Sequence, residues 1–366
     1  MNRYKIWSYA TLCGLMLAVA GMTTNAQASE CGLSCCIAAG VDGVSSGTGI
    51  GLTAQYDWMR MKTIRQGTSK ISPTQVIDND LATRANGSMH MVPTEMIMQK
   101  ISFNAAYRWN EDNAAVLTVP YIINDMKMMR GMKMMTGNTY TSTVMDTIRG
   151  VGDISLVYLH DVYKDADFRT RQRFSVGAGI KAPTGENKKR SANNSLVHMM
   201  MQPGTGSWDG FLVANGTMGF GEHNDMGALW TLSPSMMYQI NTRNDLGYKL
   251  GNRLNYDLSA RYRLTSFFNM KLDMNGIWTA KDSTDGTVDA VSGLVGYQRT
   301  TGTMTSMIDN VANTGVHSLF ISPGFQWLVG GNVAISGEYR FPVYQKATGI
   351  QQVTDNWFFL RARVSF

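Results

Sequence analysis

The chain ends on Trp357-Phe358-Phe359-Leu360-Arg361-Ala362-Arg363-Val364-Ser365-Phe366. In an extended strand side chains alternate faces, so Phe358, Leu360, Ala362, Val364 and Phe366 share one side. Phe359, Arg361, Arg363 and Ser365 take the other. A soluble domain has little use for a last strand with an unbroken apolar face, paired arginines behind it and a bare terminal Phe. The pattern predicts a strand with hydrocarbon on one side and polar groups on the other.

The N-terminus fits such a chain. Arg3 and Lys5 precede an apolar stretch from Tyr9 to Ala20, and Ala26-Gln27-Ala28 supplies small residues at a cleavage point. This predicts a secretory signal peptide over 1–28. Cys13 leaves with it. Losing Arg3 and Lys5 lowers the formal charge from +6 to +4, too mild to indicate nucleic acid. No other stretch reaches the ~18 apolar residues a spanning helix needs.

Alternating segments recur through the chain. In 253–264 Leu254, Tyr256, Leu258, Ala260, Tyr262 and Leu264 oppose Arg253, Asn255, Asp257, Ser259, Arg261 and Arg263. In 268–278 Phe268, Met270, Leu272, Met274 and Trp278 oppose Asn269, Lys271, Asp273 and Asn275. The full reading is twelve strands: 47–62, 96–109, 114–127, 149–163, 168–182, 208–222, 227–241, 250–265, 268–281, 315–328, 332–346 and 355–366. Each suffices for a tilted membrane-spanning strand of ~9–11 residues. Connections alternate short and long, as in barrels with tight periplasmic turns and long outer loops. Tyr56, Trp58, Tyr107, Trp109, Trp278, Trp327 and Trp357 lie near strand ends and fit aromatic girdles. The expectation is an all-β, transmembrane antiparallel β-barrel of about 12 strands over 46–366, behind a short Cys-containing periplasmic segment at 29–45. A secreted β-sandwich is the competing fold.

The last strand resembles the closing strand of bacterial outer-membrane barrels, whose terminal aromatic is read by the barrel-assembly machinery. Further motifs carry a narrower resemblance. These are Gly150-Val151-Gly152-Asp153, Gly179-Ile180-Lys181-Ala182-Pro183-Thr184-Gly185, Gln202-Pro203-Gly204-Thr205-Gly206-Ser207-Trp208-Asp209, Leu232-Ser233-Pro234-Ser235 and Ile321-Ser322-Pro323-Gly324. Their order resembles the outer-membrane barrels grouped as the meta-pathway of phenol degradation, or transporter, family. The resemblance implies a Gram-negative outer membrane, lipid around the barrel and passage of small, often hydrophobic solutes.

Methionine sets this chain apart: there are 27. Met89, His90 and Met91 fall in the first long connection. Met126, Met128, Met129, Met132, Met134 and Met135 crowd the second, and His198, Met199, Met200 and Met201 the third. Thioethers are soft, neutral ligands that select Cu(I), and imidazole complements them. A soft-metal site on the extracellular rim is one reading; no cofactor is otherwise implied. Met is also a flexible apolar filler, a partner surface or an oxidant sink, and Lys127, Arg130 and Lys133 interleave the densest cluster. Cys31, Cys35 and Cys36 allow a local disulfide with one thiol left over, or a thiolate metal site.

The expected lumen face carries Arg169, Arg171, Arg173, Arg253, Asp257, Arg261, Arg263, Asp273, Glu338, Arg340, Arg361 and Arg363. It reads either as a ladder favouring anions or as charged filling of the bore. Catalysis finds no support. His317 and Ser318 are neighbours on one strand and face opposite ways, and His160 near Asp153 and Asp161 has no Gly-x-Ser-x-Gly elbow. The sequence thus predicts an outer-membrane channel or transporter for passive passage of a small molecule or ion, with copper capture at its rim as an added reading. A non-transporting surface barrel and a hydrophobic-solute channel are the alternatives.

Overall fold

The computed structural model describes residues 48–165, 171–192, 194, 196–224, 227–285, 294–295, 298–299, 304–329 and 332–366. The alternating segments become β1 (Gly49–Gly67), β2 (Met89–Arg108), β3 (Asn113–Met134), β4 (Ile154–Lys164) and β5 (Gln172–Ala182). They continue as β6 (Asp209–Asn224), β7 (Gly227–Ile240), β8 (Arg253–Arg263), β9 (Phe268–Thr279), β10 (Val316–Val329) and β11 (Val333–Ser365). Each pairs antiparallel with the next. The end of β11 pairs antiparallel with β1, from Ser365 opposite Gly51 to Ala347 opposite Gly67. Phe366 N donates to Ile50 O at 2.8 Å and completes the closure.

A closed ring of antiparallel neighbours needs an even number of strands, and β11 settles the count. Its 33 residues would span about 110 Å if straight. Instead 333–347 pairs with β10 and 347–365 with β1. The chain folds back at Gly349, whose φ of +70° suits glycine. The two arms then lie side by side. Gln345 Nε2 donates to Thr354 O at 2.7 Å, and the Arg340 guanidinium stacks 4.2 Å from the Trp357 ring. Counting both arms, the barrel has twelve strands.

The barrel is apolar outside and polar inside. Leu258, Met270, Leu272, Met274, Leu360 and Phe366 are exposed on its outer face. Their neighbours Asp257, Ser259, Lys271, Asp273, Asn275, Arg361 and Arg363 are buried within. Among the described residues no helix is long and apolar enough to cross a membrane. Trp109, Trp278 and Trp327 are exposed as a girdle requires, but Trp357 is not lipid-facing. It packs in the bore, with Nε1 donating to Asp57 at 3.3 Å.

The long connections are more ordered than the sequence suggests. Strands β1, β2 and β3 run past the expected ends, so Met89, Met91, Met128, Met129, Met132 and Met134 lie on strands rather than loops. Between β1 and β2 sits α1 (Pro73–Leu81). Ser72 caps it by accepting from Gln75 N at 3.1 Å, and Pro73 starts it. Val76, Ile77 and Leu81 pack on Ile64, Val92 and Met307. Short strands Gly137–Val144 and Ile148–Val151 extend the β3 wall. Met304–Ser306 runs parallel to the start of β2.

Candidate functional site: a filled bore beneath a methionine-lined mouth

The bore has two unlike halves. One is charged. Lys271 sits between Glu338 and Asp273, ion-paired to both and 3.2 Å from the latter, and the three are at most 4 % exposed. Asn275 Nδ2 donates to Asp257 at 2.6 Å. Arg261 donates to Thr231 at 2.9 Å, and Arg361 donates twice to Gln55. Toward the periplasmic turns, Arg108 and Arg173 share Asp161 at 2.9 and 3.2 Å. The other half is apolar. Ala106, Ala114, Val116, Val157, Leu159, Phe211, Val213 and Met237 form one buried cluster on β2, β3, β4, β6 and β7. Both sets are buried inside the barrel.

The expected lumen residues sort accordingly. Arg173, Asp257, Arg261, Asp273, Glu338, Arg340, Arg361 and Arg363 are buried in the bore. Arg253 lines a cavity above it. Arg263 is half-buried and reaches Glu222 O at 3.4 Å. Arg171 is a correction: it precedes β5 on an exposed turn, where its backbone N donates to Asp165. Arg169 lies outside the described residues. Lys271, Arg108 and Lys181 were missing from the expected set, although strand parity with Asp273, Asn104 and Arg173 places them on the inner face.

Above the charged belt the inner wall turns to thioether. Met61, Met96, Met126, Met128 and Met201 are buried together with Ile148 and Val197, and Met59, Met91, Met98, Met145 and Met200 pack against them. Ten methionines from β1, β2, β3 and two connections therefore meet in one cluster. Met129 packs toward α1, Met199 packs with Leu196 and Tyr248, and Met134 and Met135 are exposed. Met89 and Met132 are half-buried where β2 pairs with β3. His90 is held by α1, with Nδ1 3.1 Å from Asp80. Burial pushes the Asp80 carboxyl up, but hydrogen bonds from His90 and Arg84 outweigh it and hold it well below the usual carboxylate range. His198 is buried at the start of the turn Met199–Met201. Cys31, Cys35 and Cys36 lie outside the described residues. Among those residues no cluster of three or more His, Cys, Asp or Glu could hold a metal. Thioethers are the donors gathered here.

A knot of loops carries Met199–Met201 inward, and the sequence motifs build it. Asp153 accepts from Gly185 N at 3.0 Å, Thr205 N at 2.9 Å and Thr205 Oγ1 at 2.7 Å. Lys181 Nζ lies 3.2 Å from Asp153 and is also ion-paired to Asp209. Gly204 N donates to Glu186 O at 3.0 Å. The backbones of Gly185 and Gly204 touch so closely that neither has room for a Cβ. Asn124 Nδ2, from the β3 wall, donates to Met201 O at 3.0 Å and seats the turn in the bore.

The family model described as the putative MetA-pathway of phenol degradation matches residues 117–352, more than half of the chain, and spans this knot. The chain belongs to that family. It is an outer-membrane β-barrel of the Gram-negative type. The COG4313 outer membrane channel from Pseudomonas putida F1 is similar in fold, with 11% identity and a TM-score of 0.52 over 89% of this chain and 98% of that one. A FadL homologue from Pseudomonas aeruginosa matches at 8% identity and a TM-score of 0.39, over 87% and 90% of the chains, too distant to inform the assignment. No curated protein matches the chain significantly.

Proposed function

We propose that the chain is a passive outer-membrane channel for small, mainly apolar solutes, which enter through a thioether-lined vestibule. The observation that carries this reading is a cavity of about 350 Å³ inside the outer end of the barrel. Met61, Met199, Met200, Ile308, Ile350 and Val353 supply its apolar lining. Small-molecule pockets run from ~300 Å³ upward and pair apolar walls with few polar groups. Methionine suits varied solutes because its thioether is flexible and contacts aromatic edges well. Passage onward requires the filled bore, or the loop turn in it, to yield. Expression in Gram-negative cells lacking general porins should raise uptake of benzyl alcohol several-fold at low concentration. A variant whose cavity is filled by Met61→Trp and Val353→Trp should not. Uptake no faster than with an unrelated folded barrel would reject the reading.

The ten-methionine cluster supports soft-metal capture as a second reading. Its donors are neutral and need no deprotonation. On this reading Met96, Met126 and Met128 hold Cu(I) at the inner wall. Titrating the solubilised barrel with Cu(I) against a competing chelator should reveal a sulfur-only site, lost in a Met96→Leu, Met126→Leu, Met128→Leu variant. Binding unchanged in that variant would reject these ligands.

A further inference from the structure

The charged groups around the vestibule are unequal in what they have to bind. Inside the bore, Lys271, Lys181, Arg108 and Arg173 each have a carboxylate within 3.2 Å. Arg253 lines the vestibule and has none. Its Nε donates to Asn255 at 3.0 Å, and among the described residues no carboxylate lies within ion-pair distance of it. The one carboxylate lining the same cavity, Asp282, is already engaged, accepting from Tyr248 Oη at 2.5 Å and Gly251 N at 2.7 Å. Burial pushes that carboxyl up, which weakens its repulsion of an incoming anion.

A second arginine deeper in the bore repeats the arrangement. Arg340 is 2 % exposed and lies over Trp357, and its Nε and Nη2 have no hydrogen-bond partner among the described residues. Buried guanidinium groups normally find acceptors, since an unpaired buried charge is costly. Buried Asp257 attracts both guanidinium groups without ion-pairing to either, so Arg253 at the vestibule and Arg340 beneath it keep donors for an incoming carboxylate. The Met, Ile and Val side chains of the lining offer apolar surface that an anion with an apolar body can bury and a small hydrated anion cannot.

We propose that Arg253 is a carboxylate-binding residue and that the vestibule selects small amphipathic monocarboxylates. The apolar body lies among the methionines, and the carboxylate takes the guanidinium fork in the bidentate geometry this pair favours. The inference rests on the vestibule being a solute site, as proposed above, and adds the class of solute.

The test uses the full chain in detergent and calorimetric titration with benzoate, benzyl alcohol and acetate. Benzyl alcohol fills the same space without charge, and acetate carries the charge without the ring. Benzoate should bind about tenfold more tightly than either. Arg253→Gln should cost benzoate about tenfold and leave benzyl alcohol unchanged, while Arg253→Lys should recover part of the loss. Heat-modifiable migration reports that each variant is folded. Benzyl alcohol binding with no Arg253-dependent gain for benzoate would overturn this inference and leave the vestibule reading standing. Acetate binding as tightly as benzoate would overturn the amphipathic requirement. If neither aromatic compound binds, both readings fall.

Discussion

Lys271→Met should destabilise the refolded barrel by about 3–5 kcal/mol, the range expected when one partner of a buried ion pair is removed. Lys271 is the cation between Glu338 and Asp273, and all three are sealed in the bore. Without it, two buried carboxylates, on β9 and β11, face each other across Gly324 of β10. Adding Glu338→Gln should recover part of the loss, because the second change removes one of the two stranded charges. Denaturant unfolding of wild type, the two single variants and the double variant forms a cycle that isolates the pair. A single Lys271→Met variant as stable as wild type would mean that the belt fills space and holds nothing together.

Gly204→Ala should release the third outer connection from the bore while leaving the barrel folded. A Cβ on Gly204 would lie 2.3 Å from both the C and the O of Gly185, and main chain cannot swing aside as a side chain tip can. Opening that contact removes the bonds Asp153 makes to Gly185 and Thr205, a loss of about 2–4 kcal/mol for loop docking. The strand ladders are untouched, so heat-modifiable migration should persist. Protease added to the outer side should cut within 183–208 in the variant and spare wild type. Withdrawal of Met199–Met201 should also raise ionic conductance. Equal protection in the two proteins would show that the knot does not hold the loop.

Where the two faces of a strand differ in polarity, the sequence was enough. In β9 the lipid face of Phe268, Met270, Leu272 and Met274 and the bore face of Asn269, Lys271, Asp273 and Asn275 read off by parity, and the structure keeps them so. Parity fails where both faces are apolar. In β4, Leu156 faces lipid and Val157 the bore; in β6, Leu212 and Phe211 divide likewise. Nothing in such a run says that its inner half is dry, so the apolar side of the bore was not foreseen. Trp357 misled for a related reason: an aromatic near a strand end suits a girdle, but its place opposite Met59 turns it inward. The methionines fell in the right quarter of the molecule and the wrong elements. The expected strands stopped at membrane length, whereas β2 and β3 continue past it, with His90, Val92 and Met128 buried on the added stretches. The glycine- and proline-rich motifs were legible as turns. That they meet one another could not be read from spacing.

Those long strands bear on where the protein samples its surroundings. β2 and β3 run 20 and 22 residues. At ~3.3 Å per residue and a tilt of ~40°, such a hairpin climbs about 50 Å along the barrel axis, against an apolar band of about 25 Å. The tight turns sit at the other end, so most of the excess, on the order of 20–30 Å, stands above the bilayer as a chimney. A solute therefore meets the rim in the aqueous medium before it meets lipid. The intake should follow the dissolved concentration outside the cell, and a compound that accumulates in the bilayer would gain no advantage at this mouth.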